Sequence, residues 1–219
     1  MADDKSILSK YFPEAAVESI LFTLKDKNII LRISKARRTK LGDYRPALQG
    51  KPHRISLNHD LNRYEMLITF IHELAHLYAF EQFGRQHQPH GTAWKHLFGK
   101  LMLPFIESNL FPEDIRTELH EYLYKSKAAN GNDLKLRRVL KAYNPVGDGS
   151  LIVENLPAFS HFSIPDGRVF QKQEQRRKRF KCLCMNDKRY YLFSPLAVVK
   201  PIDGQDSNQS LYLTKKSLD

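Results

Sequence analysis

The strongest constraint on this chain is the run from Asn62 to Gly84, which reads NRYEMLITFIHELAHLYAFEQFG. Asn62 is a helix N-cap type, with Glu65 three residues on in the form of a capping box. Gly84 is a C-cap type. Between them the residues are apolar on nearly every face, so the segment predicts a central, buried helix. In its middle sit His72, Glu73 and His76. Burying two imidazoles and a carboxylate together is costly without a compensating partner. Histidines at i and i+4 lie one turn apart on one face, so both can ligate one ion. Glu73 points to a neighbouring angle, from which it reaches a water rather than the ion. By chance, a chain of this composition would carry about 0.02 HExxH runs. The pattern points to a zinc site with its own general base, hence a metal-dependent hydrolase and most readily a peptidase. The plainer alternative is a pair of core histidines satisfied by backbone carbonyls.

A catalytic zinc needs a third protein ligand and one open position. The extended HExxHxxGxxH pattern would place that ligand at position 82, which is Gln82. A distant glutamate would have to be Glu107, after Pro104 and without a supporting pattern. His87, His90 and His96 remain as candidates. Glu65 lies seven residues before His72 and could hold an imidazole, although capping is the favoured role. His59 and Tyr78 are near in sequence and have no assignable role.

HELAH at 72–76, followed by Pro89-His90-Gly91-Thr92-Ala93-Trp94-Lys95, resembles the SprT-like (Spartan-type) metalloprotease family. The RISLN segment before the helix fits as well, and the resemblance covers roughly residues 5–125. It implies a zincin-like α+β domain with Zn²⁺ on His72, His76 and His90, Glu73 as the base, and protein substrates. Gly91 would allow a tight entry into the next helix, and Trp94 would pack that helix on the zinc helix. In zincin-like folds an edge strand pairs with extended substrate, and Arg54–Asn58 is the expected strand.

Elsewhere, residues 5–25 show three-to-four apolar spacing interrupted by Pro13, which predicts one amphipathic helix starting near that proline. Residues 28–36 and 53–58 predict strands, and Lys40–Arg45 a turn. Thr92–Met102 predicts a helix stopped by Pro104, and Pro112–Ala129 another. The turn-dense stretch 130–148 predicts a linker between a catalytic domain at 1–129 and a β-meander at 149–203, with a polar tail at 204–219. The runs LIVEN, RVFQKQ, RFKCLC, YYLFS and LAVVK supply the strands of that meander. Cys182-Leu183-Cys184 has the wrong spacing for a zinc knuckle and no second pair exists, so the module is at most a degenerate zinc ribbon.

The formal net charge is +11, which favours polyanionic partners, nucleic acid first. Two stretches concentrate it, Lys35–Lys40 and Arg168–Arg189. The second holds nine lysines and arginines against Glu174 and Asp187, interleaved with Phe170, Phe180, Tyr190 and Tyr191. These are the expected DNA-binding surfaces. No segment approaches a membrane span, and the N-terminus lacks a signal-peptide core, so the expected location is cytoplasmic. The competing functional expectation is a zinc-stabilised nucleic-acid-binding protein with little or no protease activity.

Overall fold

The computed structural model describes residues 2–37, 39–48, 50–84, 88–124, 132–144 and 150–202. The chain is a mixed α+β protein, with six α-helices and two sheets among those residues. It divides into two units, Met1–Pro145 and Val146–Asp219. None of the described helices is long and apolar enough to cross a membrane. His87 and the tail at 204–219 lie outside the described residues.

In the first unit the long buried helix is α3, Arg63–Phe83. Asn62 caps it as expected, its Oδ1 accepting from the Tyr64 and Glu65 N–H groups at 3.1 and 3.0 Å. Among the described residues no bond runs back from the Asn62 N–H to the Glu65 carboxylate, so only half of the capping box forms. Asn62 Nδ2 instead reaches the Leu140 carbonyl, 2.8 Å away. Gly84 ends the helix at φ 65°, its N–H on the Phe80 carbonyl. Met66, Leu67, Phe70, Ile71, Leu74 and Leu77 are buried along α3. Each contributes about 1.5–3 kcal/mol of burial, and together they make α3 a large part of the unit's core.

Around it lie α1 (Ala2–Tyr11), α2 (Val17–Asp26), α4 (Thr92–Glu107), α5 (Glu113–Tyr124) and α6 (Asn132–Lys141). The single helix expected over 5–25 is two. Pro13 takes an extended ψ of 135°, breaking the chain before a short 3₁₀ turn at Glu14–Ala16. Pro104 does not stop α4, which continues three residues beyond it. The segment expected to be a linker carries α6, which packs on α5.

Three strands form the first sheet, β1 (Ile29–Ser34), β2 (Gly42–Arg45) and β3 (His53–Asn58), in the order β1-β3-β2. β3 pairs parallel with β1 and antiparallel with β2. The expected turn at 40–45 is therefore mostly a strand. Its sequence, GDYR, has no apolar alternation to announce it. The expected edge strand at 54–58 is instead central, and β1 and β2 are the edges. Buried Asn58 holds the connecting loop, accepting from Arg37 Nε at 2.8 Å and donating to the Lys40 carbonyl at 3.0 Å.

The second unit is one six-stranded sheet, β4 (Leu151–Ile152), β5 (His161–Ser163), β6 (Val169–Arg176), β7 (Arg179–Cys184), β8 (Tyr190–Phe193) and β9 (Val198–Ile202). The order is β4-β9-β5-β6-β7-β8, so β5 to β8 form a meander and β9 returns between β4 and β5. Its core is Phe162, Phe170, Cys182, Cys184, Val153 and Val199. The two free cysteines alternate onto the same buried face. Lys172, counted from sequence among the surface cations, is buried there. Its Nζ donates to the Leu156 and Glu154 carbonyls at 2.5 and 3.1 Å and lies 4.3 Å from the Phe180 ring centre.

Candidate metal centre

The helical repeat brings His72 and His76 onto one face of α3, with ring centroids 5.1 Å apart. The third imidazole comes from the turn before α4. Gly91 N–H donates to the Gln88 carbonyl at 3.0 Å and closes that turn. His90 itself takes the left-handed conformation, φ 59°. Gly91 is needed for a different reason than expected: a Cβ there would stand 3.0 Å from the Gln88 carbonyl oxygen. His90 Nε2 ends 3.1 Å from His76 Nε2 and 3.1 Å from His72 Nε2. Buried Trp94, on the first turn of α4, packs against all three rings at centroid distances of 4.6, 5.3 and 4.7 Å.

These three residues form a cluster that could hold a metal ion. The spacing fits zinc. Ligand nitrogens about 2.0–2.1 Å from a tetrahedral ion stand about 3.3–3.4 Å from one another. One N–H cannot satisfy two imidazoles at once, so His90 facing both neighbours at 3.1 Å is poorly explained by hydrogen bonding alone. Burial, with His76 and His90 beside it, pushes His72 down to about 3, so the ring stays neutral and offers a lone pair. His90 is also shifted down, by desolvation first and then by Lys95. Among the other candidates, His96, His59, Gln82 and Glu107 are exposed and lie outside the cluster.

Glu73 is buried, 7% exposed, on the neighbouring face of α3. Burial and then Asp43 push its carboxyl up to about 7, opposed by a hydrogen bond from the Tyr44 N–H. Gly42 lies against it. A Cβ on Gly42 would meet Glu73 Oε1 at 2.5 Å and Cγ at 2.7 Å. Neither Gly42 nor Tyr44 was a candidate from sequence, since the pairing that brings β2 to α3 leaves no local signal. The three histidines and Glu73 open onto a cavity of about 900 Å³. Gly42 and Tyr44 of β2 line one part of it, and Leu136, Arg137 and Leu140 of α6 another. Glu65 also lines the cavity rather than closing the cap, and burial raises its carboxyl above the usual range.

Residues 10–110 match the model of the SprT-like family. They form a SprT-like domain. The match spans α2, the three-stranded sheet, α3 and all of α4, and so includes the whole histidine cluster and Glu73. The α6 wall of the cavity lies beyond the matched SprT-like residues. No curated protein and no solved structure shows significant similarity to the chain.

Proposed function

We propose that the SprT-like domain is a zinc-dependent peptidase with a zincin-like active site. The observation that carries this reading is the approach of His90 Nε2 to within 3.1 Å of both the His72 and the His76 Nε2, beside a buried carboxylate. His72, His76 and His90 would hold the ion. When bound, zinc supplies Lewis-acid chemistry, polarising a peptide carbonyl and making water acidic enough to lose a proton near neutral pH. Glu73 takes that proton on its carboxylate and passes it to the leaving amine nitrogen. The Tyr44 N–H and the absence of a side chain at Gly42 hold the carboxylate in place. β2 pairs with β3 on one side only and borders the cavity, so an extended peptide can add along its free edge.

Protein substrates associated with nucleic acid are the favoured class, supported by the net charge of +11 and by exposed cations at Arg176, Arg177, Lys178 and Arg179. DNA contact through 35–40 and 168–189 is part of this proposal, as is a cytoplasmic location. The test is peptide-bond cleavage and zinc content measured together. Glu73→Gln should lose cleavage and keep its zinc, whereas His90→Ala should lose both. Retained turnover in Glu73→Gln, or unchanged zinc in His90→Ala, would overturn the assignment.

A further inference from the structure

The edge strand β2 is short, and the main chain secures only part of it. Its ladder with β3 runs from the Gly42–Leu57 pair to the Arg45–Arg54 pair and stops there. The next residue, Pro46, has no N–H and adds no donor to the ladder. Ala47 N–H turns to a side chain instead. It donates to His53 Nδ1 at 3.1 Å, and the Tyr44 hydroxyl lies 2.9 Å from the same nitrogen. The Tyr44 and His53 rings stack, with centroids 5.8 Å apart and planes 19° apart.

Two groups on one ring nitrogen settle which of them donates. An amide N–H only donates, so Nδ1 carries no proton and the Tyr44 hydroxyl donates to it as well. Burial, and then the charge of Glu81, raise the Tyr44 phenol above its usual range, which keeps that proton on the oxygen. Both donors belong to the wall of the histidine cavity. Tyr44 lines it, as does Pro46 beside Ala47, whereas His53 does not. Tyr44 also packs on Phe80, one turn beyond His76, and gives its own N–H to the Glu73 carboxylate. A chain of contacts thus runs from His53 through Tyr44 to Glu73.

We propose that His53 is a positioning residue for Glu73: its Nδ1 fixes Tyr44 and Ala47, and through the Tyr44 N–H it sets where the Glu73 carboxylate lies. Its effect on rate rests on the peptidase reading, and its effect on β2 rests on the hydrogen bonds alone. A four-residue strand paired on one side has few bonds of its own, and one ring anchors it at two points three residues apart. Without that acceptor the Tyr44 hydroxyl and the Ala47 N–H must find water, and a buried donor left unpaired drives the strand end to shift. The carboxylate then loses a donor held in a fixed place. A displacement near 1 Å at such a group costs about 10²-fold in rate, so a partial shift already shows in kcat.

The test compares His53→Ala with His53→Asn in the zinc-loaded full chain. Asparagine Oδ1 can stand near the place of Nδ1 and accept from both donors, whereas alanine accepts from neither. Zinc content, kcat and KM on a quenched peptide, and residue-resolved amide exchange by NMR are read on the same samples. In His53→Ala we expect kcat to fall about tenfold, with KM within about threefold and zinc near one per chain. The Ala47 and Tyr44 amides should exchange at least about tenfold faster, with the rest of the first unit unchanged. His53→Asn should restore most of both. Unchanged exchange at Tyr44 in His53→Ala would overturn the proposal, as would a kcat within about twofold of an active parent. Faster exchange across the whole unit that asparagine does not restore would also overturn it, in favour of packing alone. A parent that cleaves no peptide would sink the peptidase reading instead, and exchange at Tyr44 would then decide the positioning by itself. Should His53→Ala fail to fold, Tyr44→Phe removes the hydroxyl, keeps the ring and carries the same comparison.

Discussion

Gly42→Ala tests whether the carboxylate of Glu73 works where the structure holds it. The added Cβ would stand 2.5 Å from Oε1, 2.7 Å from Cγ and 2.9 Å from Cδ of Glu73. Ordinary contact begins near 3.4 Å, so the carboxylate must retreat by roughly 0.9 Å or β2 must lift away from α3 by a similar amount. Gly42 has an ordinary negative φ, so alanine brings no backbone strain of its own. A misplacement near 1 Å costs about 10²-fold in rate, or about 2.7 kcal/mol of barrier. The assay is kcat and KM on a quenched peptide, with zinc content and melting temperature measured on the same samples. We expect kcat to fall about 10²-fold with zinc near one per chain, since His72, His76 and His90 do not touch Gly42. Combining Gly42→Ala with Glu73→Asp should be less than additive, because the shorter side chain frees the space that the methyl takes. A fall in kcat under about threefold, with zinc and melting temperature unchanged, would refute the argument that Gly42 positions the carboxylate.

Three further outcomes follow from buried polar groups. Asn62→Ala removes the α3 cap and the bond to the Leu140 carbonyl. It should cost about 2–3 kcal/mol, a fall of roughly 6–12 °C in the first unit's melting temperature by calorimetry. Glu65 has its folded-state carboxyl raised by burial, so the folded chain holds that proton more tightly than the unfolded chain. Stability from this group is present at low pH and lost as pH rises through the raised value, so Glu65→Gln should raise the melting temperature at pH 8 and not at pH 4. The reverse pattern in a pH series of melts would show that Arg137 and Lys141 outweigh its burial. Lys172→Met strands the Leu156 carbonyl, and thermal melts should show a loss of about 1–3 kcal/mol confined to the second unit's transition. An unchanged melt would mean that burial of the ammonium cancels its bonds.

The sequence alone determined the helical core of the site. An apolar 21-residue helix with His72, Glu73 and His76 carries its own periodicity, cap and stop, so its burial and the shared face of its two histidines were legible. The segment around His90 was legible only through its resemblance to a family, because a left-handed histidine in a turn leaves no periodic signal. Helix boundaries failed where proline acts by context: Pro13 breaks a helix and Pro104 is carried inside one. The strand signals of the second unit were clear in β6 to β9, but the insertion of β9 between β4 and β5 is a long-range pairing. Lys172 looked like a surface cation because its carbonyl partners lie 16 and 18 residues away in sequence.

What tertiary structure decided is the surroundings of the three histidines and the glutamate. Gly42 and Tyr44 reach Glu73 because β2 pairs with β3 and both strands pack on α3, elements distant from one another in sequence. Arg32 and Arg54 line one cleft because strand register, and not sequence proximity, sets them in adjacent rows of neighbouring strands. Composition and periodicity report what each residue prefers locally. Which residues meet depends on register and packing, which no single segment contains.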